Sequence, residues 1–147
     1  MCAISLKAKV VGHSKFAKPT GAASPHWKGY GEISAAFWYR NLVRNAKIRG
    51  RKVEITIEYM WNLFLAQNRK CALTGWELTF SPKFNQQTAS IDRIDSSKDY
   101  VEGNVRWVHK HVNKSRQEFT DDYFLHLCEA VVMHVNNSNG ERNYAQS

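Results

Sequence analysis

Residues 89–114 carry the pattern that most limits how this chain can fold. Apolar and polar residues alternate twice, which predicts two β-strands, Ala89–Asp95 and Asn104–Val108. The polar loop Ser96–Gly103 separates them, and a helical pattern follows at once over Lys110–Glu118. A strand–loop–strand–helix unit this short brings side chains of its first strand close to side chains of its helix.

Two side chains in this unit have metal-binding chemistry. Asp92 lies on the first predicted strand and Asn113 on the predicted helix. Carboxylate and amide oxygens are hard ligands that suit Mg²⁺, which needs few protein ligands beside water and substrate phosphate. Arginine and histidine side chains nearby suit a phosphodiester substrate.

Three further helices are predicted around this unit. One spans Ser34–Lys47 with Ser34 as its N-cap, and one spans Ile57–Asn68 with Thr56 as its N-cap. A last helix begins at Thr120 and is expected to end near Val135, with a polar tail after it. The whole chain therefore reads as α+β.

Apolar spacing gives each of these helices a predicted buried face. The first face comprises Ala35, Trp38, Leu42 and Ala46, and the second comprises Ile57, Met60, Trp61, Phe64 and Leu65. The last helix is expected to bury Phe124, Leu127, Cys128, Val131 and Val135. Short strands are also predicted at Val53–Thr56 and Trp76–Phe80.

Charge is distributed unevenly along the chain, whose formal net charge is +8. Residues 1–70 carry 13 Lys and Arg against 3 Glu, a formal +10, whereas residues 71–147 carry 8 against 10, a formal −2. A basic half joined to a mildly acidic half indicates a polyanion-binding part beside a part with another task. A cationic surface that only maintains solubility is the alternative.

Cysteine use and hydropathy indicate the cellular compartment of the protein. The three cysteines, Cys2, Cys71 and Cys128, are far apart and form no CxxC pair, so neither a disulfide framework nor a cysteine-based zinc site is expected. No apolar stretch approaches the length of a membrane span. Lys7 and Lys9 interrupt the region where a secretory signal has its apolar segment. These features predict a cytoplasmic protein.

The sequence resembles a known family over residues 71–114, where it reads CALTG at residues 71–75 and SIDRIDSSKDYVEGNVRWVHKHVNK at residues 90–114. This series is similar to the ββα-metal (HNH, or His-Me finger) nuclease motif, including its endonuclease VII-like branch. It is more similar to phage-type homing endonucleases. The resemblance implies a ββα-metal core packed on flanking α-helices.

The resemblance assigns roles residue by residue. Asp92 matches the family's metal-binding Asp, Asn113 matches the metal ligand on the helix, and Asn104 matches the Asn that ties down the loop between the strands. Mg²⁺ or Mn²⁺ is the implied cofactor. Cys71 occupies the place of a zinc knuckle in some relatives, but Thr74 stands where its partner would be, so no structural zinc is expected.

Arg93 departs from the family, in which a His general base follows the metal-binding Asp. A guanidinium cannot accept a proton from water near neutral pH. Three interpretations remain open: Arg93 clamps the scissile phosphate, His109 (preferred over His111) serves as the base, or the site binds DNA without cutting it.

The resulting hypothesis is a metal-dependent DNA endonuclease of the phage homing type, acting on double-stranded DNA as a homodimer within the cytoplasm of a bacterial host. The alternatives are a non-catalytic DNA-binding protein on a nuclease scaffold and a branched-DNA resolvase. The predicted regions are a basic arm (1–31), a helical DNA-binding region (32–70), the nuclease core with its C-terminal helix (71–137) and a polar tail (138–147). The predicted DNA contacts are Arg40, Arg44, Lys47, Arg49, Arg51, Lys52, Lys98, Arg106, Lys110, His111 and Lys114.

Overall fold

The computed structural model describes residues 28–81 and 86–144, with side chains up to residue 138. Most of the basic arm predicted for residues 1–31 therefore lies outside the described residues. The elements in chain order are α1 (Ala35–Trp38), a π-helical turn (Tyr39–Val43), α2 (Arg44–Ile48), α3 (Ile57–Ala66), β1 (Ala89–Arg93), β2 (Val105–His109), α4 (Lys110–Arg116) and α5 (Asp121–Tyr144).

β1 and β2 form an antiparallel two-stranded sheet, and α4 begins at the residue after β2 ends. The register pairs Asp92 with Arg106 and Ile91 with Trp107. Because side chains alternate along a strand, these two pairs project from opposite faces of the sheet. The strand–loop–strand–helix order predicted from the sequence is present. β1 and α4 each end two residues earlier than predicted, whereas β2 is shifted one residue later.

The hydrophobic core lies on the Trp107 face of the sheet. Trp107 is fully buried, and its indole N–H donates to the carbonyl of Met60 in α3 at 2.7 Å. Its ring contacts Phe37, Phe64 and Phe80 at centroid distances of 5.0–6.1 Å. This aromatic cluster fixes α1 and α3 against the hairpin.

The first predicted helix is helical throughout residues 35–48, but its middle part, residues 39–43, is a π-helical turn. Ser34 caps it, since its hydroxyl accepts from the backbone N–H of Phe37 at 3.1 Å. Phe37 is buried in place of the predicted Ala35, and the next buried residue, Leu42, follows five positions later. A turn of five residues keeps such a pair on one face, which a regular α-helix does not.

The short strands predicted at Val53–Thr56 and Trp76–Phe80 are isolated bridges in the structure. Val53 bridges Tyr100 and Glu77 bridges Lys70. Thr56 nevertheless caps α3 as predicted, because its hydroxyl accepts from the backbone N–H of Tyr59 at 3.0 Å. Extended segments without a long partner strand gain only single bridges.

The last helix corrects two expectations. Thr120 caps α5 as predicted, but the helix continues past Val135 to Tyr144. Its apolar side chains are exposed instead of buried, including Leu127, Val131 and Val135. Periodicity reveals an apolar stripe, but it does not reveal whether the same chain covers that stripe.

Within the described ranges, none of the helices combines the length and the hydropathy that crossing a membrane requires.

Candidate active site

Asp92, a residue of β1, forms buried ion pairs with two arginines. One carboxylate oxygen, Oδ2, accepts from Nε of Arg106 at 2.9 Å and from Nε of Arg116 at 3.2 Å. The other, Oδ1, accepts from Nη2 of Arg116 at 2.7 Å. A carboxylate offers about four acceptor positions. Three are filled, and one on Oδ1 remains.

Asp121, the first residue of α5, completes this network. Both of its oxygens accept from the guanidinium of Arg106 at 2.6 Å. The hydrogen bonds from Arg106 hold the pKa of Asp121 below its usual value. Burial lowers the pKa of Arg106, but its hydrogen bonds to Asp121 and Asp92 outweigh that effect and raise it overall. Arg116, almost fully buried, also donates to the carbonyls of Arg93 and Phe119.

Asn113 is held against β1 by its amide nitrogen. Nδ2 donates to the Ser90 hydroxyl at 2.8 Å and to the Ile91 carbonyl at 3.1 Å. Because a carbonyl needs a donor, these contacts identify the nitrogen and leave Oδ1 as the amide atom without a hydrogen bond among the described residues. Asn113 is therefore oriented with an amide oxygen that accepts no hydrogen bond from the described residues.

Asp92, Arg93 and Asn113 line one cavity of about 430 Å³. It lies where β1 and α4 meet, and most of the side chains around it are polar. The remaining lining residues are Arg49, Ile91, Ser96, Tyr100, Lys114, Arg116, Gln117 and Glu118. The structure thus brings together both predicted metal ligands and the residue at the family's histidine position.

Arg93 is a buried cation, with only 6% of its surface exposed. Its Nη1 donates to the Lys98 carbonyl at 2.8 Å, and its guanidinium carbon lies 5.1 Å from the centroid of the Tyr100 ring. Among the described residues, no carboxylate comes within ion-pair distance of it. A buried charge without a counter-charge is costly, and an anion that enters the cavity would compensate it.

Asn104 braces the loop between the strands. Its side-chain nitrogen donates to the carbonyls of Asp95 and Asp99 at 3.1 and 3.0 Å, and its oxygen accepts from the backbone N–H of Asp95 at 2.9 Å. Asp95 closes a turn on Ser97, whose hydrogen bonds lower the pKa of Asp95 to about 2.

His109 lies apart from this cavity. By the strand register it shares the face of Trp107, opposite Asp92. Its Nδ1 accepts from the backbone N–H of His111 and so caps α4, while its ring packs edge-on against Trp76. Burial lowers its pKa, helped by the positive charge of Lys110 and by His111. Nor does His111, which is exposed, line the cavity.

Most of the predicted DNA contacts lie on the surface. The exposed side chains are Arg40, Arg44, Lys47, Arg49, Lys52, Lys98, His111 and Lys114, and Arg51 and Lys110 are partly exposed. Arg106 is the exception, because both of its faces are engaged by Asp92 and Asp121 inside the structure. In the structure its guanidinium holds Asp92, and its role as a DNA contact stays a prediction.

The structure places at or beside the cavity four residues that the sequence does not associate with it. The sequence predicts Arg49 as a DNA contact of the basic helical region and Arg116 as a basic side chain that meets the DNA backbone. It gives Tyr100 no role, and it indicates Asp121 only as a carboxylate in the first turn of the last helix. The spacing of Arg116, three residues after Asn113 on one helix face, was a usable signal; the others depend on tertiary folding.

The ligand set is consistent with Mg²⁺ or Mn²⁺ held in part by substrate. Among the residues described, no cluster of three or more His, Cys, Asp or Glu is placed to hold a metal ion. Asp92 offers one free acceptor position and Asn113 offers its free Oδ1. Two hard oxygen ligands suffice for a cation whose other positions are filled by water and phosphate.

No protein-family model matches the chain, and no curated protein matches it. A solved structure does match: that of PacI, a rare-cutting HNH restriction endonuclease reported for its mechanism of DNA perturbation. The TM-score is 0.51 at 18% identity, over 78% of this chain and 88% of that one. At this identity the likeness shows the fold, which is similar to that of an HNH endonuclease in combining helices with a small antiparallel two-stranded sheet.

Proposed function

We propose that this protein is a metal-dependent DNA endonuclease whose active site is the cavity between β1 and α4. The observation that carries the proposal is the convergence of Asp92, Arg93 and Asn113 on that cavity. The similarity of the fold to an HNH restriction endonuclease supports it, as does the family resemblance of the sequence. The β1–β2–α4 unit is then the ββα-metal core.

Asp92 and Asn113 hold the cation in this proposal. When bound, Mg²⁺ or Mn²⁺ supplies positive charge that polarises the scissile phosphate and stabilises the leaving oxygen. Arg106 and Arg116 fix the orientation of Asp92 but also share its charge. We therefore expect weak metal binding by the free protein and stronger binding once a DNA phosphate enters the cavity.

Arg93 binds the scissile phosphate rather than acting as a base. A guanidinium is planar and carries only N–H donors, an arrangement that suits phosphate oxygens and not the role of a base. His109 lies on the face of the hairpin opposite Asp92, and this placement supports the phosphate-binding alternative over the preference for His109 as base. None of the four described histidines lines the cavity.

The exposed basic side chains of the π-helical turn, of α2 and of the segment after it bind DNA phosphates in this proposal. Among the described residues Arg40, Arg44 and Lys47 have no ion-pair partner, so their charge is free for phosphates. Neutralising phosphates releases counterions, so binding weakens as the salt concentration rises. The plot of log binding constant against log salt concentration should steepen by roughly one unit for each phosphate contacted. A site-specific target of the homing type belongs to this proposal.

A second copy of the chain is the partner we propose. The exposed apolar stripe of α5 runs through Leu127, Val131 and Val135. Stable dimers bury about 800 Å² of surface on each partner, whereas a stripe of a few half-exposed side chains buries a smaller area. We therefore expect a weak homodimer that pairs through α5. DNA binding should strengthen this dimer, because its two cavities can engage the two strands of the duplex.

A DNA-binding protein without cleavage is the competing function. The observation that favours it is Asp92, whose oxygens are largely engaged by arginines. Incubating supercoiled plasmid DNA with the protein in Mg²⁺, Mn²⁺ or EDTA separates the two. We expect nicking that EDTA abolishes and that Asn113→Ala removes, while Ser115→Ala, an exposed neighbour on α4, cuts like the wild type. Tight binding without nicking in either metal would favour the competitor.

A further inference from the structure

Arg49 and Arg93 reach the same cavity from distant parts of the chain. Arg49 caps the C-terminal end of α2, in the basic helical region, and Arg93 ends β1. Both line the cavity that also contains Asp92 and Asn113. Neither has a carboxylate within ion-pair distance among the described residues.

Tyr100 lies between these two arginines and contacts both. Nη1 of Arg49 donates to the Tyr100 hydroxyl at 3.3 Å, while the guanidinium of Arg93 stacks over the Tyr100 ring. Tyr100 is 97% buried, so it is a fixed support rather than a mobile surface ring. A ring face attracts a guanidinium, and a phenol oxygen accepts from one, so one side chain can orient two cations.

The backbone around Tyr100 ties this support to the basic helical region. Its N–H donates to the Lys52 carbonyl at 3.1 Å, and its carbonyl accepts from the Glu54 N–H at 2.9 Å. Beside it, Nη1 of Arg51 donates to the Ser97 carbonyl at 2.7 Å. The segment that follows α2 is thereby bound to the loop between β1 and β2, which fixes where Arg49 projects.

We propose that Arg49 and Arg93 form a two-pronged clamp for the phosphate at the cleavage site, and that Tyr100 is its positioning residue. This proposal rests on the proposed endonuclease function and adds to it a direct role for the basic helical region in cleavage. Arg49 then acts on the reacting phosphate, whereas its neighbours on the same helix act only on flanking phosphates. Two guanidiniums stabilise developing charge on phosphate oxygens without needing a proton transfer.

Comparing Arg49→Ala with Arg44→Ala tests the clamp, because Arg44 is an exposed arginine of the same helix outside the cavity. Single-turnover cleavage of a labelled duplex with Mg²⁺ gives the rate, and binding of the same duplex in EDTA gives the affinity. We expect Arg49→Ala to lower the rate at saturating protein about 10- to 100-fold. Arg44→Ala should change mainly affinity. Equal behaviour of the two variants overturns the proposal.

Tyr100→Phe and the double variant Tyr100→Phe/Arg49→Ala test the positioning role. Phe keeps the ring under Arg93 but removes the hydroxyl that Arg49 uses. The rate should therefore fall with Tyr100→Phe, and the double variant should be no slower than Arg49→Ala alone, since both changes remove one interaction. Losses that multiply would show that Tyr100 does not act through Arg49. Thermal melts of each variant confirm that it is folded.

An anion titration separates failure of the clamp from failure of the endonuclease proposal. Inorganic phosphate, added in EDTA at constant ionic strength, should raise the melting temperature of the wild type, as any ligand of the folded state does. The rise should shrink with Arg49→Ala and persist with Arg44→Ala. If the wild type cuts no DNA but shows this pattern, the result supports the phosphate clamp and contradicts the endonuclease proposal. The absence of a phosphate effect in wild type and Arg44→Ala alike counts against the clamp.

Discussion

At the scale of single residues, Asp92 and its two arginines decide how the site is built. A buried carboxylate with two cationic donors keeps one rotamer, and removing one member leaves an uncompensated buried charge. Asp92 is therefore both a metal ligand in the proposed function and a part of the core. This double role makes Asn113, which lies outside the ion network, the cleaner residue for testing metal chemistry.

Asp121→Asn should destabilise the protein in a pH-dependent way. Because Arg106 lowers the pKa of Asp121, this carboxylate stabilises the fold above the unfolded value of about 4, and the stabilisation is lost as the pH falls through the lowered folded value. We expect Asp121→Asn to lose about 1–3 kcal/mol of unfolding free energy at pH 7. Urea unfolding measures it, and the gap to wild type should close as the pH falls below the lowered folded pKa of Asp121.

Asp122→Asn is the matched control for that change. It alters the neighbouring carboxylate in the first turn of α5, which is exposed and has no ion pair among the described residues. A loss of at most about 1 kcal/mol is expected from its helix-dipole interaction alone. Equal losses from the two variants would argue against the Arg106 contact as the source.

His109→Ala should leave most of the cleavage rate. Removal of a general base lowers rates about 10²- to 10⁴-fold, whereas a residue that only caps α4 affects mainly stability. We expect less than a tenfold loss in single-turnover rate, together with a lower melting temperature. A loss of two orders of magnitude, with the acidic limb of the pH–rate profile removed, would restore His109 as the base.

At the scale of elements, the unit that contains the site could be predicted from the sequence more completely than the helices around it. The alternation in residues 89–108 and the capping residues Ser34, Thr56 and Thr120 are local signals, and the structure has each of them in place. The π-helical turn and the exposed face of α5 depend on which surfaces meet, and a single chain's periodicity does not encode that. The roles of Arg106 and Asp121 were missed for the same reason.

Val131→Glu on α5 should weaken self-association without weakening the fold. Val131 is 56% exposed, so a polar replacement changes the unfolding free energy of the monomer by about 0.5 kcal/mol or less. Sedimentation equilibrium with and without duplex DNA measures the association. A wild type that stays monomeric at all concentrations, even on DNA, would contradict the proposed pairing.

Met60→Ala is the contrasting change in a buried helix. Met60 is fully buried in α3, and its carbonyl accepts from the Trp107 indole. We expect a loss of about 2–5 kcal/mol of unfolding free energy, measured by urea denaturation, because truncation leaves a cavity against the aromatic cluster. A loss below about 1 kcal/mol would show that the described core is not the stabilising one.

At the scale of the whole molecule, the two halves of the chain meet at the cavity. The basic half contributes Arg49 and the free cations of its helices, and the second half contributes the hairpin and α4 with Asp92, Arg93 and Asn113. Charge alone indicated a polyanion partner. In the proposed function, the cavity adds a place where one phosphate of that partner meets two hard oxygen ligands and Arg93, which is buried and has no ion-pair partner among the described residues.

Crystals of the protein grown with duplex DNA and Mn²⁺ test this claim most directly, through the anomalous scattering of the metal. The account predicts a single strong peak in the cavity, about 2.0–2.3 Å from Oδ1 of Asp92 and Oδ1 of Asn113, with a phosphate oxygen among its ligands. A well-ordered DNA complex in which Mn²⁺ lies elsewhere, or in which both oxygens have no metal, would contradict it.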